Sequence, residues 1–418
     1  MREMKDSGIE WVGKVPATWK IMPNKYIMTK KKVIKEVYEG ESIISLSMNG
    51  VIVRDLEAGG KMPKTFDGYQ IVYPGNLLMC LFDYDVTPRC IGLIKNYGVT
   101  SPAYSQFVMN NGNYSGYYYY YYLMVDHTKA LLHLAKNLRH SFTEEQLGAI
   151  LAPVPTIEEQ QQIANFLDTK CSEIDATAED IQKEIALLEN YKKSVIIEAV
   201  TKGLNPDAEM KDSGIAWIGE IPKDWKVDKI KYHLKRNEPK NPGNAIVLSV
   251  YRDYGVIPKD SRDDNHNVTS EDTSKYKYVK KGQLVINKMK AWQGSLAVSD
   301  YDGIVSPAYF IYDFIDEEYN HKYFHYLVRS CYKEEFKRIS GGIREGQWDL
   351  SPEGFSNTLV LLPSIEEQNE ILDYILQKEM EIDAIIADKK RQLDILADYK
   401  KSLIYEYVTG KKEVPVHE

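Results

Sequence analysis

The sequence is poor in cysteine and has no long apolar run. Its four cysteines, Cys80, Cys90, Cys171 and Cys331, form no CxxC pair, so neither a zinc site nor a disulfide framework is expected. The apolar runs fall short of the roughly 20 residues that span a bilayer. The first residues, MREMKDSGIEW, have no apolar signal region. We therefore expect a cytoplasmic protein without a membrane partner.

Catalytic motifs are also missing. The Gly-Lys pair at 410–411 lacks the upstream glycine and the hydroxyl residue of a phosphate-binding loop. The Asn-Pro pairs at 205–206 and 241–242 do not extend to the NPP-aromatic motif of amino-methyltransferases. Glu-Phe-Lys at 335–337 has the E-x-K form of many nucleases but no suitable Pro-Asp before it, and the eight histidines show no metal-ligand spacing. The chain is predicted to bind rather than to catalyse, with no catalytic, cofactor-binding or metal-binding residues.

Acidic residues outnumber basic ones, which at first argues against a nucleic-acid partner. The formal net charge is −8. Residues 156–200 contribute −6 and residues 364–408 contribute −5, which leaves +3 for the rest of the chain. Because the acidity is confined to two segments, the remaining residues are mildly basic and a nucleic-acid partner stays compatible with the composition.

Most of the sequence occurs twice. EMKDSGIEWVGKVPATWK at 3–20 returns as EMKDSGIAWIGEIPKDWK at 209–226. Four shorter motifs also return: SPAY at 101–104 and 306–309, P-[TS]-I-E-E-Q at 155–160 and 363–368, EID at 173–175 and 381–383, and YKKS at 191–194 and 399–402. An interval of about 200 residues is too long for a solenoid unit. Each copy is therefore a domain with a connector, and a pseudo-two-fold chain suits partners of the same symmetry.

The two acidic segments have the pattern of long helices. Thr156 with Glu159, and Ser364 with Glu367, form capping boxes directly after a proline. Apolar residues then recur every seven positions, as in a coiled coil. They are Leu167, Ile174, Ile181, Leu188 and Val195 in the first segment, and Ile375, Ile382, Leu396 and Leu403 in the second.

This pattern predicts that the two helices pair with each other as rods of roughly 65 Å. The alternative is that each is a surface helix packed on its own domain. Lys389 interrupts the second stripe, where it would either extend to the edge of the seam or set its register. Gly203 and Gly410 are the predicted helix ends.

The segments between the helices are rich in valine, isoleucine, tyrosine and turn residues, which favours strands with some helix. The six tyrosines at 117–122 are expected to form a buried strand, with base stacking as the minority alternative. Short helical patterns lie near 128–137 and 319–337.

The duplicated motifs, in this order, resemble the specificity subunits of type I restriction-modification systems over essentially the whole chain. The DSGIxWxGxxPxxWK segment, the P-[TS]-I-E-E-Q helix start, SPAY and SGGIREGQWDL at 340–350 carry the resemblance. It implies an α+β fold in which two pseudo-two-fold related α/β target-recognition domains are separated by two long antiparallel coiled-coil helices. The implied divisions are recognition domain 1 at 1–155, a spacer helix at 156–203, recognition domain 2 at 204–363, a second spacer helix at 364–410 and a tail at 411–418.

The family resemblance also implies partners. Each recognition domain would read one half of a bipartite double-stranded DNA site, and the coiled coil would set the spacer and dock two methyltransferase subunits. Those subunits would bind S-adenosylmethionine and methylate a flipped adenine. Motor-nuclease subunits would add cleavage that depends on ATP and Mg²⁺. No cofactor would reside in this chain.

Residues that suit DNA contacts lie in both copies. Lysine and arginine suit phosphates, and glutamine can read adenine. The candidates are Arg89, Tyr104, Lys136, Arg139 and His140 in the first copy, and Lys288, Lys290, Gln293, Tyr309, Arg344 and Gln347 in the second. The alternative for each is an ordinary surface residue, and for the two tyrosines it is a packing role. Base readers are expected where the copies differ, as in 56–66 against 260–274 and 83–95 against 287–300.

Two other functions stay open. The first is a fused restriction or modification enzyme with its own active site, which the missing motifs disfavour. The second is a coiled-coil scaffold that binds no DNA. Salt-dependent DNA binding separates the second from the specificity role, since phosphate contacts release counterions.

Overall fold

The computed structural model describes residues 2–57, 63–135, 140–243, 245–252, 254–261, 272–342 and 348–415. The chain divides into two compact units, Met1–Gln182 with Lys390–Glu418, and Lys183–Lys389. Each unit contains one copy of the repeated globular part and a stretch of both long helices. None of the helices in these ranges has the length and apolarity needed to cross a membrane.

In the first unit, a four-stranded antiparallel sheet of order β4-β11-β8-β9 forms the centre of the globular part. The strands are β1 (Met4–Asp6), β2 (Lys14–Pro16), β3 (Lys20–Pro23), β4 (Met28–Lys31), β5 (Ile44–Ser47), β6 (Gly50–Val53), β7 (Gln70–Val72), β8 (Leu77–Met79), β9 (Ile91–Leu93), β10 (Gly98–Thr100), β11 (Ser105–Met109) and β12 (Leu151–Val154). The helices are α1 (Asn24–Ile27), α2 (Ser115–His127) and α3 (Glu144–Ala149), followed by the long α4 (Ile157–Lys202).

In the second unit, the corresponding sheet has the order β16-β23-β20-β21. The strands are β13 (Met210–Asp212), β14 (Glu220–Pro222), β15 (Lys226–Lys229), β16 (Leu234–Arg236), β17 (Leu248–Tyr251), β18 (Gly255–Pro258), β19 (Lys277–Val279), β20 (Leu284–Asn287), β21 (Leu296–Val298), β22 (Gly303–Val305), β23 (Tyr309–Phe314), β24 (Ser340–Gly341), β25 (Asp349–Leu350) and β26 (Leu359–Leu362). The helices are α5 (His321–Cys331), α6 (Lys333–Arg338), α7 (Pro352–Asn357) and the long α8 (Ile365–Val408).

The two globular parts therefore share one topology. In both, the last strand pairs antiparallel with the strand that follows the repeated tryptophan, β12 with β3 and β26 with β15. Trp19 and Trp225 are each 1% exposed and are therefore packing residues that the two copies share. The predicted α+β class, with two copies of an α/β domain and two long helices, is confirmed.

The tyrosine-rich segment is a helix, not the strand that the sequence suggested. All six tyrosines of 117–122 lie in α2, and Tyr117, Tyr118 and Tyr121 are fully buried. A helix that is apolar on every side shows neither the helical nor the strand period, so aromatic β-propensity was the wrong guide here. The Tyr117 hydroxyl donates to the Val408 carbonyl at 2.8 Å.

The two long helices pack against each other within each unit. In the first unit, the start of α4 shares a core with the end of α8, through Leu167, Ile404 and neighbours. In the second unit, the end of α4 shares a core with the start of α8, through Ile196 and Ile371. The pairing is thus antiparallel, and the predicted coiled coil is confirmed. Of the predicted seam, Leu188 and Leu396 are half-buried, and the other seven residues are buried.

Repeated motifs from opposite copies bind each other along these helices. Lys400, in the second YKKS motif, pairs with Asp175 of the first EID motif at 2.6 Å. Lys192, in the first YKKS motif, pairs with Asp383 of the second EID motif at 2.8 Å. Lys389 pairs with Glu184, which places its ammonium group at the edge of the seam.

The caps at the helix starts differ slightly between the copies. Thr156 and Glu159 form the complete capping box. Ser364 accepts from the Glu367 amide at 3.2 Å, but the Glu367 carboxylate accepts from the Trp225 indole instead.

The domain boundaries stated from the sequence stay predictions, since each compact unit takes in part of both helices.

A buried glutamine ties each long helix to its globular part. Gln160 and Gln368, the last residues of the two IEEQ motifs, are 0% exposed. The Gln160 side-chain oxygen accepts from the Tyr114 amide at 2.7 Å. The Gln368 side-chain oxygen accepts from the Asn320 amide at 2.8 Å. These bonds explain why the motif ends in glutamine.

Candidate nucleic-acid interface

A cation-rich cleft lies between the globular part and the long helices of the first unit. Its volume is about 500 Å³. The β5–β6 turn, α2 and the helical residues 168–175 and 397–401 form its walls. Its cationic residues are Arg89, Lys95, Lys400 and Lys401, against two carboxylates, Asp168 and Asp175.

The second unit has a cleft in the corresponding place, with a volume of about 720 Å³. The β17–β18 turn, α5 and residues of both long helices line it. Five cationic residues meet a single carboxylate, Glu379. They are Lys192, Lys193, Arg252, Arg329 and Lys333.

Matching contacts hold the inner wall of both clefts. In the first, the Tyr120 hydroxyl of α2 donates to Asp168 at 2.7 Å. In the second, the Tyr326 hydroxyl of α5 donates to Glu379. Lys400 and Lys192, which form ion pairs with the EID aspartates, also line the first and the second cleft respectively. Each tyrosine thus fixes a globular domain to a long helix.

The surplus charge of the second cleft comes from its lysines and arginines. Burial, reinforced by the nearby Arg329 charge, lowers the pKa of His325 to about 3. This imidazole is therefore neutral near pH 7, and its Nδ1 accepts the Val298 amide at 3.1 Å. Lys193 and Lys333 are exposed, so their ammonium groups are available to phosphates.

The first-copy candidates do not form one cluster. Arg89 lines the cleft, whereas half-buried Tyr104 stacks on Phe82 with ring centroids 6.3 Å apart. Burial raises the pKa of the Tyr104 hydroxyl, in keeping with the packing alternative. His140 pairs with Asp85 at 2.7 Å. Lys136 and Arg139 lie outside the described residues.

Part of the second-copy set does come together. Tyr309 pairs with Asn287 in the sheet, next to Lys288. Lys288 forms an ion pair with Asp349 at 3.0 Å, which brings β25 to the same edge. Lys290 is exposed and Gln293 lines the second cleft. Arg344 and Gln347 lie outside the described residues, and the DNA-binding roles of all candidates stay predictions.

The cleft lysines on the long helices were not selected from the sequence. Lys192, Lys193, Lys400 and Lys401 are the lysines of the two YKKS motifs. Their repetition was visible in the sequence and is the signal that could have found them.

One histidine–carboxylate group with metal-ligand spacing occurs among the described residues. Buried His233 lies with Asp316 and Glu318, but its Nδ1 is engaged by Asp316 at 2.8 Å. His233 is too far from Asp316 and Glu318 in the sequence for a search of local motif spacing to detect this group. We assign no ion to this group.

The fold and the paired clefts define a duplicated protein with two α/β domains and two antiparallel long helices. No family model matches the chain. The specificity subunit of the type I restriction enzyme MjaVIII from Methanocaldococcus jannaschii is 26% identical in an alignment of 287 residues, and the match covers 63% of this chain and 63% of that protein. The chain thus matches less than two thirds of this relative's length.

Solved structures share the fold over nearly the whole chain. A chain from a study of the assembly and conformational transition of the type I R-M system has a TM-score of 0.68 and 12% identity, and the match covers 95% of this chain and 99% of that one. The HsdS subunit from Thermoanaerobacter tengcongensis has a TM-score of 0.52 and 13% identity, with 95% and 98% covered. The resemblance to type I specificity subunits is confirmed.

Proposed function

We propose that this chain is the DNA sequence-specificity subunit of a type I restriction-modification complex, in which each recognition domain reads one half of a bipartite site. The observation that carries the proposal is that the chain builds one cation-rich cleft twice, once in each unit. Lysines and arginines in such clefts suit phosphates, and phosphate contacts fix the register in which nearby residues read bases. The sequence relationship to type I specificity subunits supports the same function.

The long helices carry matching exposed apolar residues that suit docking of two copies of one partner. Leu187 and Tyr191 are 68% and 56% exposed on α4. Their counterparts on α8, Ile395 and Tyr399, are 61% and 54% exposed. Exposed apolar patches commonly mark protein interfaces. We assign these two patches to two methyltransferase subunits and the spacing between half-sites to the helices.

In this proposal the chain is not itself an enzyme. S-adenosylmethionine binds the methyltransferase subunits, and ATP and Mg²⁺ serve the motor-nuclease subunits. The chain contributes sequence recognition and the geometry of assembly. It acts in the cytoplasm, where its DNA substrate lies.

The test is co-expression with the partner methyltransferase subunit, followed by genome-wide mapping of N6-methyladenine. We expect a split motif with a fixed gap that disappears when this chain is omitted. A stable complex with no such motif, and with DNA affinity independent of salt, would contradict the proposal and favour the scaffold function. Methylation by this chain alone would favour the fused-enzyme function.

A further inference from the structure

An arginine ties a hairpin turn to the central sheet in the first unit. The Arg89 guanidinium donates through Nε to the Ile91 carbonyl and through Nη1 to the Met48 carbonyl, both at 3.1 Å. Met48 is the first residue of the β5–β6 turn, and Ile91 is the first residue of β9. The remaining nitrogen, Nη2, donates to the Tyr119 hydroxyl at 2.5 Å. One side chain thus bridges the turn, the sheet and α2.

A second arginine makes the same bridge in the other unit. Arg329 donates through Nη1 to the Leu296 carbonyl at 3.4 Å and through Nη2 to the Arg252 carbonyl. Leu296 is the first residue of β21, and Arg252 is the first residue of the β17–β18 turn. The two acceptors are the structural counterparts of Ile91 and Met48. In both units, therefore, the same two carbonyls accept hydrogen bonds from a guanidinium.

The two arginines are not counterparts in the sequence. Arg89 lies two residues before β9, and the residue two before β21 is Gly294. Arg329 lies on α5, and its counterpart on α2 is Leu123. The register of these helices is fixed by Tyr117 and Tyr323, whose hydroxyls donate to the last turns of α8 and α4. The two units thus form the same guanidinium bridge with arginines from different positions in the sequence.

Glycine permits this close approach in both units. Gly50 and Gly255, the first residues of β6 and β18, have φ of 96° and 71°. A Cβ on Gly50 would lie 3.4 Å from Arg89 Nη2, and one on Gly255 would lie 3.2 Å from Arg329 Nη1. The left-handed backbone favours glycine at both places.

A guanidinium is the group that this bridge requires. Its five N–H donors form a rigid planar fork that can reach acceptors on two different strands, whereas a lysine ammonium is a point charge on a flexible stem. The bridge holds the turn that leads into β6 and β18. These turns also line the two clefts, through Asn49 in the first unit and Tyr254 in the second.

We propose that Arg89 and Arg329 are positioning residues for base reading, each fixing the hairpin turn at its cleft against the central sheet. This inference rests on the proposed function. Each arginine serves only the half-site that its own unit reads. The turns carry exposed side chains, Met48 at 73% and Tyr254 at 59%, which the bridge holds in one place.

The test compares R89A, R89K, R329A and R329K in the complex with the methyltransferase subunit. Methylation is measured on duplexes with single-base changes in one half-site at a time. We expect the Arg89 variants to lower discrimination at one half-site about tenfold, as for one lost hydrogen bond to a charged group, and to leave the other half-site unchanged. The Arg329 variants should show the reverse. Lysine should not rescue, because it cannot form the fork.

R236A is the matched control. Arg236 pairs with Glu238, which keeps Lys277 as a partner at 2.9 Å, so both half-sites should stay unchanged. Any of four results would overturn the positioning role. They are an equal loss of discrimination at both half-sites, full rescue by lysine, unchanged discrimination, and loss of the soluble complex in all four variants. Absence of any split motif with the wild-type chain would instead refute the proposed function.

Discussion

The buried glutamine of the IEEQ motif should be a large contributor to stability in each unit. Gln368 accepts from the Asn320 amide at 2.8 Å and donates to the carbonyls of Glu318 and Pro363 at 2.7 and 3.0 Å. Gln368→Leu keeps the volume but leaves these three backbone groups without a partner. An unsatisfied buried group costs about 1–3 kcal/mol. Because two of the bonds are only partly buried, we expect a loss of about 3–4 kcal/mol.

Gln160→Leu gives an internal comparison. Gln160 accepts from the Tyr114 amide at 2.7 Å and donates to the Pro155 carbonyl and to the Asn113 side chain, both at 3.0 Å. The Asn113 side chain can turn toward water, so the cost should be smaller, about 2–3 kcal/mol. The predicted order of destabilisation is therefore Gln368→Leu above Gln160→Leu.

Urea unfolding followed by circular dichroism measures both losses. Gln377→Leu is the control, since Gln377 is exposed and its side chain donates to the exposed Glu381 at 2.9 Å. It should change the free energy of unfolding by less than about 0.5 kcal/mol. If Gln368→Leu also costs less than about 1 kcal/mol, the buried bonds do not hold the helix to its domain and the reasoning fails.

Three further predictions follow from the clefts and helices. The pKa of His325 is lowered to about 3, so below about pH 6.5 the unfolded chain binds a proton at this residue that the folded chain does not. His325 should therefore contribute a fall of about 2 kcal/mol in stability from pH 7 to pH 5, and the pH slope of thermal unfolding should be smaller by this amount in His325→Gln. Lys193→Gln and Lys333→Gln should each reduce the slope of log affinity against log salt for DNA binding by about 1, measured by fluorescence anisotropy; unchanged slopes would exclude phosphate contacts in the second cleft. One extra turn in each long helix, about 5.4 Å, should lengthen the unread spacer by about one or two base pairs in methylation mapping, and an unchanged spacer would refute the ruler role.

The long helices could be predicted because their signals are local and repeated. Thr156 and Ser364 mark the starts, and the seven-residue stripe continues for most of the 46 and 44 residues. The tyrosine-rich helix α2 could not, since burial on all sides removes the period that distinguishes a helix from a strand. Its helical state depends on the core that surrounds it, which no window of sequence contains.

The candidate site was only partly predictable for a similar reason. Gln293 and Arg89 were selected as residue types that suit DNA, and both line the clefts. The YKKS lysines were overlooked as cleft residues, because a motif shared by both copies points first to scaffold. The arginine bridge could not be predicted from the sequence, because Arg89 and Arg329 occupy different sequence positions and only the fold brings them to equivalent carbonyls.

The most direct test of the central claim, that each recognition domain reads its half-site independently, is a domain duplication. Residues 1–155 are replaced by a second copy of residues 204–363, and N6-methyladenine is mapped in cells with the methyltransferase subunit. We expect a symmetric motif built from two copies of one wild-type half-site, with the gap retained. Retention of the original asymmetric motif would contradict independent reading by the two domains.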